Sequence, residues 1–381
     1  MAALELNVIN VGFVGYGGAT KRFHLPFILP NQDLNVYAFL QRAEAPAPGS
    51  SAEKGSHCTV DFPTAKHYRT SEEFFADPSI DLVVVCTRHD THAEFAEKAL
   101  LAGKHVVVEK PFTTSAAEAD HLIALAKEKG KLLTVFQNRR YDSGFRTLYG
   151  LVKKGVFGQL TDLTIHYDVD FPPWIANMKG GEYKPGDGIM FGLGSHSIDQ
   201  ALLLVGATPT SVTGFYRTLR DDDSDVDDTF IIILQFGGEL QKLLVTVRTS
   251  PVTPMEHPLK YLIRGYDGSF IKYGEDNQEP QILAGMQCTE EGFGVEDPVL
   301  YGKLVTKTQV DKCQTLDSST GRYIGTYPSL VGSHRMYYED VVEAIKTGKE
   351  PFVKAQESRD GIRVIELARQ SAQEGRTIPW S

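Results

Sequence analysis

The sequence of 381 residues lacks several features that would reveal its class directly. No apolar run approaches the roughly 18 residues that a membrane-spanning helix needs, so no membrane partner is predicted. The first ten residues, MAALELNVIN, have no basic segment followed by a long apolar core, unlike a secretory signal peptide. Internal repeats and low-complexity tracts are also absent from the sequence. These absences predict a globular, cytoplasmic protein.

Cysteine is scarce, and basic charge is not in excess. The four cysteines form no Cys-x-x-Cys pair, so neither a zinc site nor a disulfide framework is predicted from Cys58, Cys86, Cys288 and Cys313. Widely spaced thiols indicate a reducing compartment. The formal net charge of −10 argues against nucleic acid as a direct partner, because such a partner needs a basic face.

One short segment concentrates acidic residues, DDDSDVDD at residues 221–228. Our interpretation is a solvated loop ahead of a strand. A cation site made of carboxylates is the alternative. No metal is predicted.

Short apolar runs alternate with helical patterns in the first third of the chain. Strands are predicted over residues 8–14, 34–40, 80–87, 104–110 and 131–137. Helices are predicted over residues 92–101 and 115–129, and glycines that can end a helix follow at Gly103 and Gly130. Strands with all-apolar centres that alternate with helices indicate a parallel sheet covered on both faces. We therefore predict an α/β fold with an N-terminal Rossmann dinucleotide-binding domain at residues 1–135.

The pattern changes in the remainder, which we predict to be a C-terminal α+β domain at residues 136–381. Longer strands with alternating polarity are expected within residues 162–171, 211–219, 229–249 and 260–273. Hairpin turns are predicted at Gly237–Gly238 and Asp267–Gly268. Helices are predicted over residues 143–154, 334–347 and 355–374. Alternating strands joined by hairpins indicate an open, mainly antiparallel sheet with one face free.

A glycine-rich turn, GYGGAT, directly follows the first predicted strand. Gly15 permits a tight turn, and Gly17 lets the backbone approach a pyrophosphate group at the start of a helix. Thr20 takes the position that a third glycine usually fills. The motif lies between a strand and a helix in the first βαβ unit, which predicts a dinucleotide site. A purely structural turn is the alternative.

The end of the second predicted strand bears on the choice between NAD and NADP. An acidic residue there would bind the ribose 2′-hydroxyl, whereas an arginine would accept a 2′-phosphate. The chain has Gln41 and Arg42 at this point, and Glu44 follows two residues later. We therefore predict NADP as the cofactor, with NAD as the alternative. The non-functional interpretation of Arg42 is an exposed loop arginine.

Charged and polar residues follow the buried strands of the first domain. The stretch HVVVEKPF runs from a valine strand into Glu109 and Lys110, and burial of such charges is costly unless they have partners. Residues 87–89 and 137–139 lie at other strand ends. Because a parallel sheet binds its ligands at the carboxyl ends of its strands, these positions predict a nicotinamide and substrate site. Pro111 is compatible with a cis peptide bond after Lys110.

Four segments in this order, GYGGAT, CTRHDTH, AGKHVVVEKPF and GSHSIDQ, resemble the Gfo/Idh/MocA family of sugar and polyol oxidoreductases. QNRRYDSGF and GSFIKYGEDNQE are similar to its branch of NADP-dependent scyllo-inositol dehydrogenases. The resemblance covers nearly the whole chain. It implies a small-molecule substrate, a C-terminal domain that binds it, and a homo-oligomer, dimer or tetramer, built on the free sheet face.

The resemblance also implies individual roles. Lys110 would hydrogen-bond the reacting hydroxyl, and His196 would be the general base that takes its proton as hydride leaves carbon. Further substrate contacts are predicted at Asp199, Tyr141, Arg140 and Trp174. Cofactor contacts are predicted at Gly15, Gly17, Gly18, Ala19, Gln41, Arg42, Thr87, Arg88, His89, His92, Glu109, Lys110 and Gln137.

The chain departs from the family pattern in its substrate half. The family usually has aspartate four residues before the histidine, and here that residue is Gly192. Gln137 replaces a histidine that close relatives tend to carry, and residues 168–188 supply Trp174 and Tyr183 in place of an arginine-bearing stretch. These changes predict an altered substrate. They also leave open a catalytically silent NAD(P)-binding sensor or transcriptional regulator of the galactose-repressor type, although retention of Lys110 and His196 weighs against it.

Overall fold

The computed structural model describes residues 8–47, 49, 51–178, 180–220 and 223–380. The chain divides into two compact units that are discontinuous in sequence. The first comprises residues up to Asn138 with Glu279–Glu291 and His334–Arg359, and the second comprises Arg139–Gln278, Gly292–Ser333 and the residues from Asp360 onward. The first change of unit thus follows Asn138, while the predicted division into residues 1–135 and 136–381 stays a prediction about sequence domains.

The strands are numbered in chain order. They are β1 (Ile9–Val14), β2 (Leu34–Leu40), β3 (Lys66–Tyr68), β4 (Leu82–Val85), β5 (His105–Val108), β6 (Leu133–Val135), β7 (Leu160–His166), β8 (Ser211–Arg217), β9 (Thr229–Gln235), β10 (Leu244–Thr249), β11 (Leu259–Gly265), β12 (Gly268–Tyr273), β13 (Gly302–Thr306), β14 (Gln314–Asp317), β15 (Arg322–Tyr327) and β16 (Ile378–Pro379).

The α-helices are numbered in the same way. They are α1 (Leu25–Ile28), α2 (Cys58–Asp61), α3 (Ser71–Ala76), α4 (His92–Leu101), α5 (Ala116–Lys129), α6 (Ser143–Lys153), α7 (Pro173–Ala176), α8 (Ser195–Val205), α9 (Gln278–Leu283), α10 (Arg335–Thr347) and α11 (Ala355–Glu374). Two π-helical segments, Thr20–His24 and Met190–Gly194, lead directly into α1 and α8. None of the helices in the described ranges combines the length and the apolar character needed to cross a membrane.

The first unit contains a six-stranded parallel sheet in the order β3-β2-β1-β4-β5-β6. The chain changes direction across the sheet between β1 and β4, and such a switch point is where open α/β sheets bind ligands. Every residue of β4 and β6 is buried, because a strand covered on both faces needs apolar side chains at successive positions. The five strands predicted in this region are confirmed, although most are shorter at their ends.

Local capping explains the helix that follows β5. The hydroxyl of Ser115 accepts the N–H of Glu118, while the carboxylate of Glu118 accepts the N–H of Ser115. This reciprocal capping box satisfies two backbone donors at the start of α5. The helix ends at Gly130, whose φ of +62° is left-handed and favours glycine.

The second unit contains a ten-stranded sheet in the order β14-β15-β13-β12-β11-β7-β10-β9-β8-β16. Neighbouring strands are antiparallel except β7 and β10, which are parallel. The predicted hairpins β9–β10 and β11–β12 are confirmed. Buried and half-buried residues alternate along β9, and helix α8 lies against β7 and β10. The predicted fold class, a Rossmann domain with an α+β domain on an open, mainly antiparallel sheet, is therefore confirmed.

Candidate functional site

Gly15 and Thr20 determine the conformation of the glycine-rich turn after β1. Gly15 has a φ of +101°, and a Cβ built on it would lie 2.9 Å from the carbonyl oxygen of Cys86. The buried hydroxyl of Thr20 donates to the carbonyl of Gly15 at 2.9 Å. At Gly17, by contrast, a Cβ would meet no atom of the described residues within 4 Å. The turn is therefore closed by Thr20 and keeps open space beside Gly17, as a pyrophosphate site requires.

An open cleft of about 810 Å³ lies at the carboxyl ends of β1, β2 and β4 in the first unit. Five of the predicted cofactor residues line it, namely Gly15, Gln41, Arg42, Thr87 and Arg88. Gly17 lies in the adjoining turn, and Gly18 and Ala19 begin the helical segment that follows it. The cleft is thus in the position where a doubly wound sheet binds a dinucleotide.

Two arginines lie together at the end of β2. The side chain of Arg42 is exposed, and its carbonyl accepts a hydrogen bond from Arg69 Nε at 3.3 Å. Arg69 also pairs with Glu44 at 3.2 Å and lines the same cleft. The Gln41 side-chain oxygen accepts the N–H of Cys58 at 3.0 Å, so it anchors the chain. The sequence did not single out Arg69, because it follows β3, a strand too short to give a periodic signal.

Glu109 has a buried partner that the sequence did not reveal. His24 Nε2 lies 3.0 Å from Glu109 Oε1, and Tyr338 Oη lies 2.5 Å from His24 Nδ1. One neutral tautomer satisfies both contacts, with Nε2–H donating to the carboxylate and Nδ1 accepting from the tyrosine. Burial alone would raise the pKa of Glu109, but the hydrogen bond from His24 and the charge of Lys110 hold this pKa below its usual value.

Glu109 in turn organises the chain at Lys110. Its second carboxylate oxygen accepts the backbone N–H of Lys110 at 2.8 Å, and the Lys110–Pro111 peptide bond is cis. Tyr338, His24 and Glu109 therefore form a continuous hydrogen-bonded chain that ends at the backbone N–H of the predicted catalytic lysine, Lys110. His24 is fully buried, which a lone histidine in the sequence could not indicate.

Two predicted cofactor contacts are buried. His92 Nδ1 lies 2.8 Å from the carbonyl of Pro111 and His92 Nε2 lies 3.1 Å from the carbonyl of Thr87. Burial lowers the pKa of His92, and the hydrogen bonds to these two carbonyls oppose that shift. The ring thereby links Thr87, two residues beyond β4, to Pro111, the residue after Lys110. Gln137, which follows β6, is also buried, and cofactor contact by either side chain stays a prediction.

In the second unit, two predicted substrate residues bind each other. Arg140 Nε and Nη2 donate to the two carboxylate oxygens of Asp199 at 2.7 and 2.6 Å, and both side chains are buried. Next to Asp199, Gln200 donates to the carbonyl of Arg139 at 2.9 Å. These contacts fix the rotation of α8, which carries His196 one turn earlier. The geometry favours positioning roles for Arg140 and Asp199.

The π-helical segment before α8 contains the unexpected glycine. Among the described residues, a Cβ added at Gly192 would meet only Ile189 Cδ1 at 3.5 Å, an ordinary contact, so the backbone does not require glycine there. A Cβ added at Gly194 would lie 2.9 Å from the ring of Phe230, which is buried. Glycine at 194 is therefore set by packing, whereas glycine at 192 removes a side chain that the fold could hold.

Our interpretation of residues 221–228 as a solvated loop is wrong at two positions. Asp227 and Asp228 are fully buried, whereas Asp221 and Asp222 lie outside the described residues. Asp227 pairs with Arg369 at 2.5 Å and accepts the N–H of Met190 at 2.8 Å. Burial is offset here by specific donors, so Asp227 holds the start of the segment that leads to α8, whereas Asp228 accepts the N–H groups of Leu219 and Arg220.

The remaining predicted substrate residues differ in exposure. Tyr141 is buried, with 4% of its surface exposed, and Trp174 on α7 is 48% exposed. Tyr183 stacks on the guanidinium of Arg369 at 3.3 Å, and burial raises its pKa to about 12. Phe171, just before α7, has a φ of +36°, a strained value for a residue with a side chain. Trp174 is therefore the predicted substrate residue with the most surface available to a ligand.

Comparison with known families agrees with this geometry. Residues 9–137 match the family described as "Oxidoreductase family, NAD-binding Rossmann fold", and residues 150–380 match its "C-terminal alpha/beta domain". The chain belongs to the Gfo/Idh/MocA oxidoreductase family.

Several relatives match over nearly their whole length. The uncharacterized oxidoreductase YhhX of Escherichia coli is 36% identical over 94% of this chain and 95% of its own. The scyllo-inositol 2-dehydrogenase (NADP(+)) IolW of Bacillus subtilis is 34% identical over 98% of this chain and 96% of its own. The solved structure of the oxidoreductase yvaA from Bacillus subtilis superposes with a TM-score of 0.84 at 32% identity, covering 98% of this chain and 99% of that one.

Proposed function

We propose that this protein is an NAD(P)-dependent dehydrogenase or reductase that acts on a CH–OH group of a sugar, polyol or related small molecule. The observation that carries this proposal is the hydrogen-bonded chain from Tyr338 through His24 and Glu109 to Lys110, beside the glycine-rich turn of the first unit. A charged network at the carboxyl end of a buried strand needs a functional reason, because burial of charge is costly. The sugar and polyol class is supported by relatives named as inositol dehydrogenases.

The proposed cofactor is NADP, with NAD as the alternative. Arg42 and Arg69 bring two guanidinium groups to the end of β2, where a 2′-phosphate would lie. The described strand end carries no carboxylate before Glu44, which pairs with Arg69. The name of the relative IolW, which specifies NADP(+), supports the same choice. When bound, the nicotinamide supplies the chemistry of hydride transfer.

Two residues carry the proposed proton and charge chemistry. Lys110 donates a hydrogen bond to the oxygen of the reacting hydroxyl, where negative charge develops as the proton leaves. His196 accepts that proton at an imidazole nitrogen during oxidation and returns it during reduction. Arg140 and Asp199 keep α8, and with it His196, in a fixed orientation. Trp174 is proposed to contact substrate.

The test is a turnover screen of wild type and His196→Ala with sugars and polyols, following nicotinamide absorbance with NADP and NAD. Turnover of at least one CH–OH compound, largely lost in His196→Ala while NADPH still binds, supports an enzyme. Clean NADPH binding without turnover of any compound would instead indicate the sensor. Cytoplasmic location and a homo-oligomer on the free face of the ten-stranded sheet are further proposals, and sedimentation of the intact protein tests the latter.

A further inference from the structure

Two histidines and a cysteine come together beside the end of β2. One ring nitrogen of His57, one of His67 and the sulfur of Cys58 all lie within 4.8 Å of one another. The imidazole centroids are 4.7 Å apart, and Cys58 Sγ lies 3.9 Å from His57 Nδ1. The spacing of these residues in sequence predicts no metal site. They meet because β3 pairs with β2, which places His67 opposite Phe39.

The hydrogen bonds of the two imidazoles determine which nitrogen can bind a ligand. His67 Nε2 lies 2.9 Å from the carbonyl oxygen of Gln41, and His57 Nε2 lies 3.3 Å from that of Ala43. A carbonyl oxygen only accepts, so both Nε2 atoms carry the proton and both Nδ1 atoms carry the lone pair. Metal-binding histidines usually show this arrangement, in which the second N–H donates to a backbone carbonyl.

We propose that His57 Nδ1, Cys58 Sγ and His67 Nδ1 form a binding site for a soft divalent cation, Zn²⁺, with water as the fourth ligand. Zinc–nitrogen bonds of about 2.0–2.1 Å and zinc–sulfur bonds of about 2.3 Å place tetrahedral ligands about 3.3–3.7 Å apart. The observed spread of up to 4.8 Å therefore needs a contraction of about 1 Å. Nitrogen and thiolate ligands favour zinc over magnesium or calcium.

Two local costs accompany binding. His57 Nδ1 accepts the N–H of Thr59 at 3.2 Å and lies 2.9 Å from the hydroxyl of Thr59, and the cation replaces both contacts at the start of α2. Burial raises the pKa of the Cys58 thiol to about 11, so coordination releases a proton. In return the cation ties α2 to β3. Because the two supporting carbonyls belong to Gln41 and Ala43, it also holds the backbone on both sides of Arg42.

Metal binding by the full-length protein, freed of metal with a chelator, tests the site. Wild type should bind one equivalent of Zn²⁺ in competition with a chromophoric chelator, and Co²⁺ should give a thiolate-to-cobalt absorption in the near ultraviolet. Cys58→Ser should abolish that absorption. Both Cys58→Ser and His67→Gln should lower the affinity for Zn²⁺ by at least about 10–100-fold, the loss that follows removal of an outer-shell partner of a metal ligand.

Matched controls separate this site from other thiols and imidazoles. Cys313→Ser and His121→Gln, both in other parts of the chain, should bind Zn²⁺ as wild type does. Circular dichroism of the metal-free proteins establishes that the variants fold, and either variant alone suffices for the test. The site is refuted if wild type gives no thiolate-to-cobalt absorption, or if Cys58→Ser retains it.

Discussion

The two sheets place their charged residues in different ways. Beside the parallel sheet of the first unit, Glu109 and Lys110 follow the end of β5 and are adjacent in sequence. In the second unit, buried ion pairs join distant segments, with Arg140 and Asp199 59 residues apart and Asp227 and Arg369 142 residues apart. The parallel sheet therefore carries charge at its strand ends, where open α/β sheets bind ligands, and anchors it there through the contact of Glu109 with His24. The buried pairs of the second unit hold elements together.

This difference has a physical origin in strand burial. Parallel strands are buried on both faces, so charged side chains are confined to their ends. In a strand with one solvated face, buried and solvent-facing side chains alternate. A long charged side chain on the buried face can then enter the core. Lys272 on β12 does so, and its Nζ lies 2.7 Å from the carboxylate of Glu296 with both side chains 2% exposed.

The largest expected effect tests buried against exposed charge. Lys272→Met leaves Glu296 buried without its cation, which should lower the free energy of unfolding by about 3–5 kcal/mol. Lys349→Met, the same change in an exposed pair of the first unit, should cost at most about 1 kcal/mol. Denaturant unfolding followed by circular dichroism measures both. Equal losses in the two variants would contradict the distinction between buried and exposed pairs.

The next effect tests the charge at the end of β5. Lys110→Ala removes a preorganised donor to the reacting oxygen, so kcat should fall by about 10²–10³. NADPH affinity should stay within a few-fold, because the cleft residues are unchanged. Lys127→Ala, an exposed lysine on α5, serves as the control in the same assays. Near-normal turnover by Lys110→Ala on any substrate of the wild type would refute the role.

A pH effect tests burial at the start of β5. Burial and the charge of Lys131 lower the pKa of His105 from 6.5 to about 4, and its Nδ1 accepts the N–H of Leu132 at 3.0 Å. The folded protein thus favours the neutral ring. The neutral ring therefore contributes to the free energy of unfolding. This contribution is fully present above pH 6.5, is lost as pH falls toward 4, and is on the order of 3 kcal/mol.

Unfolding free energies at pH 7 and pH 4.5 measure this contribution. His105→Gln keeps an acceptor for Leu132 but cannot titrate, so it should lose less stability than wild type between these pH values. Parallel losses in wild type and His105→Gln would assign the acid sensitivity to other groups.

A smaller effect concerns cofactor choice in the first unit. Arg42→Ala and Arg69→Ala should each weaken NADPH binding by about 1.5–3 kcal/mol, the size of a hydrogen bond to a charged group. NADH lacks the 2′-phosphate and should be affected far less, so it is the internal control. Tighter binding of NADH than NADPH by the wild type would overturn the proposed preference.

The smallest expected effect addresses the substrate half. Gly192→Asp restores a carboxylate one helical turn before His196, which should stabilise the protonated imidazole. The acid limb of the kcat/KM profile should move to higher pH, and the range of accepted sugars should narrow. Gly192→Ala fills the same Cβ position without charge and should leave the limb unmoved. A shift of equal size in Gly192→Ala would show that volume, not charge, matters.

Local sequence patterns were enough to predict many of the helices and strands of this protein. Helix α4 was predicted with its observed bounds, and so was the long helix α11, because hydrophobic periodicity and helix ends depend on neighbouring residues. The glycine turn, Arg42 and the Glu109–Lys110 pair were also singled out, as predictions, by their place beside predicted strands. Strands β3 and β13–β15 were missed, since short or polar strands are defined by pairing with others.

Only the tertiary structure decided which side chains act together. His24 reaches Glu109 across 85 residues, and Arg69 joins Arg42 through the pairing of β3 with β2. The same pairing brings His67 to His57 and Cys58. Asp227, predicted to lie in a solvated loop, is buried and pairs with Arg369. A sequence records the type of each side chain. Its partners and its exposure to water are set by chain segments that meet only when the sheets form.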